Sequence, residues 1–200
     1  MLIKICGITR IEDARAAVEA GADAVGFIFW PRSPRFVDPY RARAIAAALP
    51  PMVGTVGVFV DQPAEYVQGV ASLVPLSTIQ LHGAESPAFA AALRRPVLKA
   101  ITARDAGAAQ QWSRHVMLLI DAEDPVRRGG TGRTADWTAA ASLAAARPVL
   151  LAGGLTPDNV AEAITQVRPF GIDVSSGVER APGIKDHDRL RALIQAARAA

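Results

Sequence analysis

The chain has 200 residues, half of them apolar, and a formal charge of +3. That length supports a sizeable core, and residues 1–200 read as a single domain without a disordered or low-complexity stretch. No apolar run approaches the roughly 18 residues of a membrane span, and Lys4 interrupts the start where a secretory signal would run. One cysteine cannot form an internal disulfide, which points to a reducing cytoplasm. The cations are nearly all arginine and are dispersed, among them Arg10, Arg15, Arg41 and Arg94. With no basic run interleaved with aromatics, no nucleic-acid partner is expected.

One pattern then repeats along the chain. Residues 2–6 form a short apolar strand that delivers Cys6 into a turn at Gly7. Thr9, with Glu12 three residues on, reads as a capping box that opens a helix over 11–20. Gly21 closes that helix. Strand 23–29 leads into a loop, and Asp38-Pro39 supplies an N-cap and a proline at N1 for a helix ending near Leu49. Strand 52–60 precedes a helix opened by Gln62-Pro63 and running to Leu73. Strand 78–81 precedes a helix capped at Ser86-Pro87. Strand 97–101 precedes a helix over 104–112 with a poor apolar face. Strand 116–120 enters the longest connection, 121–135, after which Asp136 caps a helix to Ala146. Strand 148–152 is followed by a helix begun by Thr156-Pro157-Asp158. Strand 171–174 and a helix over 186–199 end the chain.

Strands alternating with helices imply an α/β fold with a parallel sheet, and eight such units favour a closed (β/α)8 TIM barrel. An open Rossmann-like sheet is the alternative. It wants G-x-G-x-x-G after the first strand, where this chain has Cys6-Gly7-Ile8-Thr9-Arg10.

In a barrel the chemistry gathers on the residues that follow the strands. Here those are Cys6; Trp30, Arg32 and Arg35; Asp61; Gln80 and His82; Asp121; Gly153 and Gly154; and Asp173 with Ser175, Ser176 and Gly177. Gly153-Gly154 and Ser175-Ser176-Gly177 follow the last two strands, where barrels commonly hold a phosphate on backbone N–H groups. The 121–135 loop carries Gly129, Gly130 and Gly132 and reads as a lid. Its Gly132-Arg133-Thr134 is no P-loop, because Arg127 stands at the first glycine and Arg133 replaces the lysine. Cys6 reads either as a small core hydrophobe or as a reactive thiolate. Asp121 reads either as a carboxyl poised to donate a proton or as a cap or the partner of an arginine. Lys4 alternates with Ile3 and Ile5, so it points into the barrel and needs a partner, Asp121 or a substrate group. His82, His115 and His187 lie on separate segments without ligand spacing, so no metal site is expected. An acid and a base around a phosphate site mean proton transfer on a sugar phosphate: an isomerase, an epimerase or an aldol-type lyase.

At this point the motifs resemble a family. Lys4-Ile5-Cys6-Gly7-Ile8-Thr9, Gly21-Ala22-Asp23-Ala24-Val25-Gly26-Phe27, Ser33-Pro34-Arg35, Gln80-Leu81-His82-Gly83, Gly129-Gly130-Thr131-Gly132, Ala152-Gly153-Gly154-Leu155 and Asp173-Val174-Ser175-Ser176-Gly177-Val178-Glu179 together look like the phosphoribosylanthranilate isomerases of tryptophan biosynthesis. Trp30 and Ala135 depart from residues common there. The resemblance implies a (β/α)8 barrel and a cofactor-free Amadori rearrangement of a phosphorylated aminosugar. It implies Cys6 as general base, Asp121 as general acid, and Arg35 on the anthranilate carboxylate. Gln80, His82 and Lys4 would contact substrate, and Gly153, Gly154, Ser175, Ser176 and Gly177 would hold its phosphate. The protein would be a monomer or a homodimer without a membrane partner. The alternatives are a histidine-pathway sugar isomerase, which resembles this fold but has Asp where Cys6 stands, and a non-catalytic barrel that binds a phosphorylated ligand.

Overall fold

The structure, a computed structural model, describes residues 1–121 and 136–200, with the backbone alone over 103–106. Eight parallel strands pair in chain order and close on themselves: β1 (Leu2–Ile5), β2 (Ala24–Ile28), β3 (Gly54–Phe59), β4 (Thr78–Leu81), β5 (Val97–Thr102), β6 (Met117–Asp121), β7 (Val149–Leu151) and β8 (Gly171–Val174). Closure is made by β8 on β1, with Leu2 opposite Gly171 and Ile5 opposite Val174. Outside lie α1 (Ile11–Glu19), α2 (Pro39–Ala47), α3 (Ala64–Leu73), α4 (Pro87–Ala91), α5 (Trp137–Ala146), α6 (Val160–Val167) and α7 (His187–Ala199).

The strands are apolar on both faces because both faces are covered. Outward side chains such as Ile3, Ile5, Phe27, Ile79, Leu118, Ile120 and Ile172 pack against the helices. Inward side chains Leu98, Ala100, Leu119, Leu150 and Ala152, with Leu2 and Met117, fill the barrel itself. Above this plug the interior turns polar, which locates the site at the C-terminal ends of the strands.

Most helix starts follow the local chemistry. Asp38 accepts from Tyr40 N at 2.9 Å, Ser86 from Phe89 N at 3.2 Å and Asp136 from Ala139 N at 3.1 Å. Three expectations are corrected. The Thr9 side chain makes no cap: its hydroxyl donates to the Gly183 carbonyl, and Arg10 occupies the N-cap position of α1. At α6 the start moves past Thr156-Pro157-Asp158, because Asn159 Oδ1 accepts from Thr156 N at 2.8 Å and α6 begins at Val160. The helix read over 104–112 is a 3-10 helix, Ala103–Gln111, in keeping with its poor apolar face.

One element has no counterpart in the sequence reading. After β8 and a 3-10 turn (Ser176–Val178), the chain forms an antiparallel hairpin of β9 (Glu179–Ala181) and β10 (Ile184–Lys185) before α7. The hairpin brings Glu179 and Lys185 back toward the end of β1.

Candidate active site

A cavity of about 1120 Å3 opens at the C-terminal ends of the strands. Its walls include Cys6, Arg35, Gln80, His82, Asp121 and Asp173, with Gly153-Gly154 and Ser175-Ser176-Gly177. The residues singled out from the sequence are thus brought together, with two exceptions. Lys4 does not line the cavity: its ammonium is 1% exposed and lies 2.8 Å from Asp173 Oδ1. The partner sought for Lys4 is therefore Asp173, not Asp121. Gly129, Gly130 and Gly132 lie outside the described residues.

Cys6 directly follows β1, and its N–H donates to Val174 O at 2.8 Å, so the closure of the barrel itself seats the thiol. The residue is 6% exposed. On β2 the neighbouring position is Gly26, where a β-carbon would stand 2.8 Å from Cys6 Sγ and 3.1 Å from Lys4 Cε. Room for the thiol depends on that missing side chain. Burial pushes the Cys6 thiol above its ordinary 9.0; Lys4 and Lys185 pull it down and Asp173 pushes it up, and burial wins. Lys4 responds to the same surroundings. Burial opposes its charge, yet Asp173 and Cys6 together hold it above its ordinary 10.5.

Asp121 closes β6, three strands round the barrel from β1. Its Oδ2 is 3.2 Å from His82 Nε2, and its side chain is 12% exposed. His82 Nδ1 is in turn 2.8 Å from Gln80 Nε2. With the Gln80 amide N–H as donor, Nδ1 accepts and the neutral ring presents Nε2–H to Asp121. Gln80 and His82 alternate along one strand end and form a short chain that aims the carboxyl.

Arg35 follows β2 and is gripped by Glu179 of the hairpin. Nε lies 3.0 Å from both carboxylate oxygens and Nη2 2.7 Å from Oε2. That pairing uses one edge of the guanidinium and leaves the Nη1–Nη2 edge for a second carboxylate. Lys185 Nζ also binds Glu179, at 2.8 Å, and Asp13 accepts from Lys185 N at 3.1 Å.

Gly153 and Gly154 have φ of +84° and +64°, conformations that side chains resist, and they turn the chain after β7 toward the 3-10 turn after β8. Two buried polar atoms of the cavity walls, Gln80 Oε1 and Ser175 Oγ, have no hydrogen-bond partner among the described residues. Among the same residues no group of three or more His, Cys, Asp or Glu is placed to hold a metal ion, and no helix is long and apolar enough to cross a membrane.

Lys185 and Asp13 are residues that sequence reasoning did not single out, and Glu179 stood there only as the end of a motif, without a role. One signal was present. The three lysines Lys4, Lys99 and Lys185 stand in a chain whose dispersed cations are arginines, and all three are buried.

Comparison with known proteins agrees with this geometry. The profile of the N-(5'phosphoribosyl)anthranilate (PRA) isomerase family matches residues 3–196. The chain is similar to N-(5'-phosphoribosyl)anthranilate isomerase of Geobacter sulfurreducens, 49% identical over 98% of both chains. Among solved structures it is similar to phosphoribosyl anthranilate isomerase of Thermotoga maritima, with a TM-score of 0.93 and 44% identity over the whole of both chains. It is also similar to a phosphoribosyl anthranilate isomerase solved in complex with reduced 1-(o-carboxyphenylamino)-1-deoxyribulose 5-phosphate, with a TM-score of 0.90 and 43% identity over the whole of both chains. A closed barrel with a thiol and a carboxyl facing one cavity, matched along its length by these relatives, belongs to the N-(5'-phosphoribosyl)anthranilate isomerase family of tryptophan biosynthesis.

Proposed function

We propose that Cys6 and Asp121 carry out the Amadori rearrangement of N-(5'-phosphoribosyl)anthranilate as general base and general acid. The observation that supports this best is their shared cavity. A thiol and a carboxyl from strands on different sides of the barrel line it, with an arginine edge and a glycine cradle in the same walls.

Asp121 protonates the ribose ring oxygen, and the C1′–O bond opens to a Schiff base. His82, held by Gln80, keeps the carboxyl aimed at that oxygen. The Cys6 thiolate then removes the proton from C2′. The resulting enolamine tautomerises to the ketone, 1-(2-carboxyphenylamino)-1-deoxyribulose 5-phosphate. Because burial keeps the thiol protonated at neutral pH, a minor thiolate fraction does this work, and Lys4 and Lys185 keep it from being smaller. The free edge of Arg35 grips the anthranilate carboxylate as a fork. The amides after β7 and β8 hold the phosphate, and Ser175 Oγ and Gln80 Oε1 are completed by substrate. The lone cysteine fits a cytoplasmic enzyme.

The test is the loss of phosphoribosylanthranilate fluorescence on adding purified protein, together with rescue of a tryptophan-requiring strain. Cys6→Ser and Asp121→Asn lower kcat far more than they raise KM, and Arg35→Ala raises KM. Near-normal kcat in both of the first two variants would falsify the assigned roles.

A further inference from the structure

We infer that Lys185 is a positioning residue for Cys6: its buried ammonium ties the residue that carries the base to the loop that carries Ser175 and to the carboxylate that clamps Arg35. The inference rests on the reading of Cys6 as the base.

Lys185 lies on β10, outside the barrel, with a fully buried side chain. An ammonium has three N–H bonds to give. Here they meet the Cys6 carbonyl at 2.6 Å, the Ser175 carbonyl at 3.1 Å and Glu179 Oε1 at 2.8 Å. The first acceptor directly follows β1 and the second directly follows β8. One cation therefore fastens the two strand ends that close the barrel, at the level of the thiol. Holding the hairpin in place does not need the ammonium. The Lys185 N–H is already held by Asp13, which also pairs with His187 Nε2 at 2.8 Å, and Asp186 N donates to Val178 O at 2.9 Å.

The charge count points the same way. Glu179 alone faces two buried cations, Lys185 and Arg35, while Asp13 meets Lys185 only at its backbone N–H and pairs with His187. Lys4 and Asp173 balance each other. Among the described residues, the charged groups around Cys6 are Lys4 of β1, Asp173 of β8 and Lys185 of β10, with Arg35 after β2 and Glu179 of β9 behind Lys185; β2 itself presents Gly26. A buried cation beside a thiol favours the thiolate. Burial lowers Lys185 below its ordinary 10.5, with Arg35 adding to the shift, while Glu179 and Cys6 oppose it.

Cys6 is the sole cysteine of the chain, so alkylation by iodoacetamide reads it alone. In substrate-free wild type the rate rises with pH through a midpoint above 9.0. Lys185→Met moves that midpoint up by about one unit and lowers kcat about tenfold or more, with KM changed less than about threefold. Glu179→Gln removes a negative charge and moves the midpoint down. Loosening of the site cannot give shifts of opposite sign. If Lys185→Met does not fold, the Glu179→Gln shift decides alone. A midpoint that stays put or rises in Glu179→Gln, or one that stays put or falls in Lys185→Met, overturns the proposal. Retained kcat in Cys6→Ser would instead remove the base role and leave these thiol shifts standing.

Discussion

At the scale of the residue, the site is a set of side-chain pairings around one cavity. Gln80 fixes the His82 ring, and His82 aims Asp121. Glu179 takes one edge of Arg35 and leaves the other. This predicts a graded outcome at His82. His82→Leu removes one partner of Asp121 and lowers kcat about ten- to a hundredfold, with KM nearly unchanged. His82→Gln keeps an N–H at similar reach and restores part of that loss. In an Asp121→Asn background, His82→Leu costs nothing further. Steady-state kinetics of the three variants check this, and additive losses would show that His82 acts on its own. Cys6, Asp121 and Arg35 were legible in the sequence because they follow strands and need no more than strand order to be placed. The partner of Lys4 was not. Asp173 lies 169 residues away in the chain and meets it through barrel closure.

At the scale of the element, β1 and β2 approach too closely for a side chain at the second strand's centre. Gly26 faces Cys6 Sγ, and a methyl there would stand 2.8 Å from the sulfur. Sulfur and carbon need about 3.5–4.0 Å. Gly26→Ala therefore displaces the thiol rather than the backbone, which is held by parallel pairing of β2 with both neighbours. The expected result is a kcat reduced by at least about tenfold and an unfolding free energy lowered by about 1–3 kcal/mol. Kinetics and urea unfolding measure the two effects, and an unchanged kcat would place the sulfur away from the reacting proton. The strands and most helix caps were readable because they obey local rules: apolar runs for doubly covered strands, and Asp or Ser before the first turn. The hairpin after β8 was not. Its β10 spans two residues, Ile184–Lys185, and two residues show no period. Thr9 misled for a related reason. Its hydroxyl has a local use at the helix start and a distant one at Gly183, and the distant one wins.

At the scale of the whole molecule, a closed barrel has no edge, so stability is shared by every strand pair. Leu119 lies wholly buried inside it, packed with Leu98, Ala100, Leu150 and Ala152. Leu119→Ala is expected to cost about 2–5 kcal/mol, because the surrounding strands cannot collapse into the space. Urea unfolding followed by tryptophan fluorescence and by circular dichroism gives one coincident transition for wild type and variant alike. Separate midpoints for the two probes would show that part of the barrel unfolds on its own.

The sequence by itself determined the alternation of strands and helices, and hence the barrel and the end at which its chemistry gathers. It also determined which residue types stand there, since strand order alone decides which side chains follow a strand. The tertiary structure decided the partnerships. Lys4 with Asp173, Arg35 with Glu179, and Lys185 with the Cys6 and Ser175 carbonyls all join positions far apart in the chain. A buried charge must find its counter-charge in three dimensions, and no local pattern names which one it finds. The thiol shows this most directly. Its place follows from the first strand, whereas its protonation follows from burial and from three charged residues, two of them supplied by β8 and β10.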